Sequence, residues 1–140
     1  MVAESSEHVD YVRADAQPPR LWRHEDLAQE YPGQRGRWII PPDPRGWSGI
    51  LLAEWELTKA GWEDVHPQDE TNYVLDGELH VETGGSTVIA RKGDSVQVVA
   101  GQIGRYWAPR YARMLTVQGP NPTGIEAPPG THWDIETDGS

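Results

Sequence analysis

The sequence has no cysteine and no phenylalanine among its 140 residues, and only two methionines. Without cysteine there is no disulfide, no thiolate nucleophile and no Cys-ligated zinc, a composition that fits a reducing compartment. Long apolar runs are also missing, and no stretch approaches the roughly 18 consecutive apolar residues that a membrane helix needs. The first twenty residues, "MVAESSEHVDYVRADAQPPR", lack a basic start followed by an apolar core, so a soluble, cytoplasmic protein is expected. Basic residues are scarce too. Twelve Lys plus Arg stand against 22 Asp plus Glu, giving a formal net charge of -10. That field repels phosphate, which argues against nucleic acid or an anionic membrane as the main partner. The bases form no block. Arg35, Arg37, Arg105, Arg110 and Arg113 are spread over loops and strand ends, where they could meet one anionic small molecule.

What the chain does have is seven Trp, five Tyr, 15 Gly and 12 Pro. Trp joins a large apolar area to an N–H that needs a partner, which suits pocket walls and interfaces as well as ordinary cores. At this length one domain with a single modest core is the default. Residues 1–20 are polar, end at Pro18-Pro19 and read as a flexible arm. "LWRHEDLAQEYPG" spaces Leu21, Trp22, Glu25 and Leu27 for at most one short helix before Pro32-Gly33 stops it. Trp38 to Ile40 reads as an edge strand running into a proline-rich turn. From Trp47 onward short β-rich runs alternate with turn signals every eight to twelve residues or so, with Asp76-Gly77 and Gly84-Gly85 as expected hairpin turns. This pattern predicts an all-β sandwich or barrel over about 21–120, followed by a Pro/Gly-rich tail over 121–140 that Trp133 could anchor.

Within the β region, "DVHPQDETNYVLDGELHV" sets Asp64, His66 and Glu70 immediately before an apolar strand. This spacing resembles the first motif of the cupin family, with Asp64 in place of the first His, then His66, Glu70 and Gly77. Gly93, Asp94 and Gly101 resemble the second motif, with Val99 where proline is usual and Gly104 where the fourth metal ligand would stand. Within the cupins the chain is similar to the ethanolamine-utilisation protein Q branch, through Glu70, the Gly77 to His80 run and the ending at Gly119-Pro120. The resemblance implies a double-stranded β-helix, or jelly-roll barrel, and commonly a homodimer, to which the arm or the Trp38–Ile40 strand could add by strand pairing. Members of that branch commonly lack the full histidine set. The branch has been linked to acetate kinase activity, but no phosphate-cradling loop supports that here.

The residues leave several functions open. Asp64, His66 and Glu70 would supply one nitrogen and two carboxylates to a divalent metal, a set suiting Fe, Mn or Ni better than structural Zn. Against a metal stand the missing ligand at Gly104 and the constraint of Pro67 beside His66. Without a cofactor, Glu70 and His66 would act as an acid/base pair, because a small barrel desolvates the carboxylate. Glu70 could equally pair with Arg105 or Arg113 and simply hold the barrel together. Trp55, Trp62, Asn72, Tyr73, Tyr106, Trp107 and Arg105 are the expected substrate-binding residues of a pocket for an apolar or aromatic small molecule. Strand alternation puts Asn72 and Val74 on the face of Glu70, and Glu54 with Glu56 opposite Trp55 and Leu57, without deciding which face is inside. His80 is expected to point outward, and His8, His24 and His132 carry little signal. The leading expectation is a proton-transfer enzyme, an isomerase, lyase or cyclase. A metal-dependent cupin and a non-catalytic ligand-binding or scaffold cupin are the alternatives.

Overall fold

The structure, a computed structural model, describes residues 17–136. Most of the expected arm, with His8, and the last residues of the tail lie outside the described residues. The described residues form ten strands: β1 (Ala28–Tyr31), β2 (Gln34–Ile40), β3 (Leu51–Leu57), β4 (Ala60–Val65), β5 (Glu70–Thr83), β6 (Ser86–Arg91), β7 (Ser95–Val98), β8 (Ile103–Ala108), β9 (Ala112–Gln118) and β10 (Thr131–Asp134). All pair antiparallel, in the order β1-β2-β3-β9-β5-β8-β4-β10, with β6 and β7 also on β5. The expected all-β antiparallel barrel is therefore present. Among the described residues no helix is long and apolar enough to cross a membrane.

Of the at most one short helix expected over residues 21–31, only a single 3-10 turn forms, at His24–Asp26. Ala28–Tyr31 is instead a strand that hairpins onto β2 through Pro32-Gly33. Short isolated helices are marginal in water, and here the apolar side chains do not share a buried face. Leu21 and Trp22 are exposed while Leu27 is buried. Pairing with β2 gives one edge of the Ala28–Tyr31 backbone its hydrogen-bond partners.

Asp76-Gly77 is not the hairpin turn that its sequence suggests. It lies inside the 14-residue β5, at a register shift on β9 between Val74 and Asp76. Gly77 has φ 77°, which only glycine adopts freely, and the bulge lets one strand serve two sheets. Its first half pairs with β7 and β9, and its second half with β6 and β8. The reversal comes at Gly84-Gly85, where both φ values are positive as a primed turn requires.

The core gathers Leu57, Val74, Leu79, Val81, Met114 and Tyr106 around Trp55, whose ring meets that of Tyr106 edge to face at 5.8 Å. Strand β3 is buried on both faces. Trp55 and Leu57 point into the core, while Glu54 and Glu56 on the other face are covered by basic and phenolic groups. His24 Nδ1 lies 2.8 Å from Glu54, Arg113 Nε donates to Glu54 at 2.7 Å, and the Tyr111 hydroxyl donates to Glu56 at 2.7 Å. Arg35 joins Glu56, and Arg37 lies 3.3 Å from Glu54. Arg105 pairs with Glu63 and Glu82. This corrects two expectations: Arg35, Arg37, Arg105 and Arg113 are not gathered for one anion, and neither Arg105 nor Arg113 is the partner of Glu70. Cross-strand register puts each of them opposite a nearer acid, as with Arg35 on Glu56 and Arg105 on Glu63.

The tail contributes a sheet strand. β10 pairs with β4, and the Trp133 ring covers Gly61, in the space a side chain at that position would fill. The Arg105 guanidinium stacks 4.9 Å above the same ring.

Candidate active site

Strand β4 delivers Trp62 and Asp64 to one face, the loop after it carries His66, and β5 begins at Glu70. His66 Nε2 lies 2.9 Å from Asp64 Oδ2 and 3.1 Å from Glu70 Oε1. One atom from each of Asp64, His66 and Glu70 falls within 4.8 Å of the others, so the three can point at one centre. The Trp62 indole N–H donates to Asp64 Oδ2 at 2.7 Å. Glu70 is held from behind: Asn72 Nδ2 donates to its Oε2 at 3.0 Å, and Trp55 Nε1 donates to Asn72 Oδ1 at 2.8 Å. Thr116 adds a longer contact to Oε2 at 3.4 Å. Nε2 of His66 carries a single proton, and the geometry directs it to Asp64. Glu70 Oε1 is therefore buried with no aligned donor, and the buried Tyr106 hydroxyl likewise lacks a partner.

The electrostatics follow from this geometry. Burial alone would depress the His66 pKa, but its close contacts with the Asp64 and Glu70 carboxylates and their negative charges outweigh it and push it up to about 10. The imidazole is thus a cation at neutral pH. Burial, reinforced by the negative charges of Glu70 and Asp64, raises the Tyr106 phenol and keeps it neutral.

The trio forms part of the lining of a cavity of about 310 Å³, together with Trp55, Trp62, Tyr31 and Trp38. This volume lies at the small end for a ligand pocket. A second cavity of about 400 Å³, under the Pro42–Pro44 turn and the tail, shares Trp38, His66 and Gln118 with it, so His66 is reached from both.

Of the residues expected to bind substrate, Trp55 and Trp62 line the cavity. Asn72 and Tyr106 are fully buried behind the trio and brace it instead. Tyr73, Arg105 and Trp107 do not line it. Tyr73 alternates to the outer face of β5 and is exposed. Trp107 packs on His80 at 5.3 Å, and Arg105 reaches Glu63, Glu82 and Trp133 on the outside of β4 and β8. Gly104 pairs with Asp64 across β4 and β8, and the Tyr106 ring fills the space beside it, its hydroxyl 2.8 Å from where a Cβ would sit. The position of the fourth ligand is therefore taken by a phenol from two residues along the strand.

The lining also contains Glu30, Gln34, Thr116 and Gln118, which sequence reasoning missed. Glu30 was hidden by the helical reading of its segment, and Gln34 lies just past the Pro32-Gly33 stop, before the strand read at Trp38. Thr116 and Gln118 follow Met114 at period two along β9, a signal that becomes useful once Met114 is known to face inward.

Comparison with known proteins agrees with this architecture. Residues 54–117 match the family model described as the cupin domain. No protein of curated function matches the chain significantly. Among solved structures, a putative ethanolamine utilization protein Q from Salmonella typhimurium aligns at 23% identity and TM-score 0.57, over 67% of this chain and 78% of that one. The EutQ protein of Clostridium difficile aligns at 21% identity and TM-score 0.55, over 70% of this chain and 79% of that one. The ectoine synthase of P. lautus aligns at 18% identity and TM-score 0.60, over 76% of this chain and 81% of that one. At these identities the likeness is one of fold. Residues 54–117 thus match the cupin-domain model, within an all-β antiparallel barrel.

Proposed function

We propose that the protein is a small-molecule enzyme that moves a proton on its substrate, in an isomerisation, cyclisation or elimination, with Glu70 and His66 as the acid/base pair. The observation that carries this reading is a single nitrogen, His66 Nε2, held beside two carboxylates on the wall of an aromatic cavity, where Glu70 Oε1 lacks a hydrogen-bond donor. Glu70 Oε1 is the base. Its other oxygen is tied to Asn72 and Thr116, which fixes the direction in which Oε1 points. His66, kept protonated by the two carboxylates, is the acid that supplies a proton to the developing charge. Asp64 is a positioning residue: fixed by Trp62, it orients the imidazole. The comparisons support a small-molecule role through the ectoine synthase, an enzyme of the same fold.

The test is solvent-deuterium exchange into a panel of small carbonyl and amino compounds, followed by NMR. Glu70→Gln should reduce exchange by about a hundredfold or more, the usual scale of general acid/base catalysis, with the circular dichroism unchanged. Equal exchange in the variant would remove Glu70 from the chemistry.

The convergence of Asp64, His66 and Glu70 within 4.8 Å supports a second reading, a metal-dependent cupin. Two carboxylate oxygens and one imidazole nitrogen suit Fe, Mn, Ni or Zn, and the undonated Glu70 Oε1 is a free ligand atom. A bound ion would supply Lewis-acid polarisation of a substrate oxygen. Elemental analysis of protein purified without a histidine tag decides between the two. Well below one metal per chain in an active sample counts against the second reading.

A further inference from the structure

The cavity has a charge character that the acid/base pair does not explain. Its lining contains four carboxylates, Glu30, Glu54, Asp64 and Glu70, against one imidazolium, His66, and one guanidinium, Arg37. Arg37, the one arginine in that lining, already meets Glu54 at 3.3 Å from the other face of β2. Glu30 is exposed at the rim, with its Oε1 3.1 Å from the position a Cβ on Gly36 would take. Partial desolvation raises the Glu30 pKa against a hydrogen bond from Gln34 that lowers it, and no ion pair to it occurs among the described residues. Two lining residues, each about nine-tenths buried or more, hold an acceptor oxygen without an aligned donor: Gln34 Oε1, and Glu70 Oε1, which has only the out-of-line His66 imidazole 3.1 Å away. Such acceptors are costly to leave unpaired, and only a donor can satisfy them. The remaining wall is the faces and edges of Trp38, Trp55, Trp62 and Tyr31, and aromatic faces attract cations.

We infer that the cavity takes a small protonated amine, with its ammonium N–H groups directed to Glu30 and the unpaired acceptors and its carbon body against the Trp rings. This inference rests on the reading of the same cavity as a substrate site and names the substrate class. An amine offers both the positive charge that the excess of carboxylates favours and aligned donors for Gln34 Oε1 and Glu70 Oε1. A carboxylate ligand offers neither.

Intrinsic Trp fluorescence of protein dialysed against EDTA, titrated at neutral pH, tests the inference with three probes of similar size: phenethylamine, 2-phenylethanol and 3-phenylpropionate. Phenethylamine should bind at least about tenfold more tightly than the alcohol, a preference of roughly 1.4 kcal/mol, and the propionate more weakly than either. Glu30→Gln should remove most of the amine preference while alcohol binding and thermal midpoint stay unchanged, and Glu30→Lys should turn the preference towards the propionate. Equal or tighter binding of the propionate to the wild type, absent amine binding, or an amine preference that survives both substitutions would overturn it. Amine selectivity together with exchange activity indifferent to Glu70→Gln would leave this inference standing and remove the proton-transfer reading. Turnover of an anionic substrate that requires Glu70 would do the reverse.

Discussion

Asn72 shows how much one buried amide can organise. It accepts from Trp55 and donates to Glu70, so a core ring and the candidate base share a single side chain. Asn72→Ala would leave the Trp55 N–H without a partner and Glu70 Oε2 with only the long Thr116 contact, and should cost about 2–3 kcal/mol, measured by urea denaturation. Gly104 makes a steric counterpart, because a Cβ there would sit under 3.0 Å from the Tyr106 hydroxyl. Gly104→Ala is expected to push that ring into the trio and destabilise the protein by about 1–3 kcal/mol, read from the same denaturation curves. At this scale the sequence was informative about the trio because Asp64, His66 and Glu70 are local: a strand end, a short loop and a strand start bring them together with little help from the rest of the chain. It was uninformative about Tyr73, Arg105 and Trp107. Each sits on a strand whose pattern allows either face to be inward, and the packing around Trp55 and Leu57 chose the other face.

At the scale of elements, the bulge at Gly77 and the seating of β10 carry the architecture. Gly77 lets β5 pass from one sheet to the other, a role that Asp-Gly conceals because the same dipeptide makes hairpin turns. The attachment of β10 rests on Trp133 filling the bare face of Gly61. Gly61→Val should expel that ring and free residues 131–134. Hydrogen-exchange mass spectrometry is expected to report faster exchange in that segment and little change in β3 and β9, whereas unchanged protection would show that the strand is held by its backbone pairing alone. The single 3-10 turn before β1 teaches the same lesson from the opposite side. Helical spacing over a few residues has little weight when no surface is available to bury its apolar side, and the hairpin through Pro32-Gly33 wins by pairing with β2.

For the whole molecule, the acid face of β3 couples stability to pH. Burial opposes ionisation of Glu54, but His24, Arg113 and Arg37 together hold its pKa below the ordinary 4.5. A carboxyl depressed in the folded state contributes stability that is complete above its unfolded pKa and is lost as pH falls through the folded value. Thermal midpoints should therefore be steady above about pH 5 and drop below it, and Glu54→Gln should flatten that acid limb; an unchanged limb would place the acid sensitivity elsewhere. The dimer implied by the cupin resemblance predicts a light-scattering mass of twice the chain. The exposed Trp38 and Ile40, which extend beyond the short β1 on the edge of the sheet, are the place to look for the contact.

The sequence alone determined the class of fold and the local trio. Period-two runs punctuated by glycine leave an antiparallel barrel as the economical way to satisfy the backbone, and residues six apart along one loop meet whatever surrounds them. What only the tertiary structure decided was which face of each strand is inside, that Arg35, Arg37 and Arg113 are taken up by Glu54 and Glu56, that Tyr106 fills the space at Gly104, and that Glu30 and Gln34 reach the same cavity. These depend on register between strands far apart in the chain, and a period of two carries no information about which neighbour lies across the sheet.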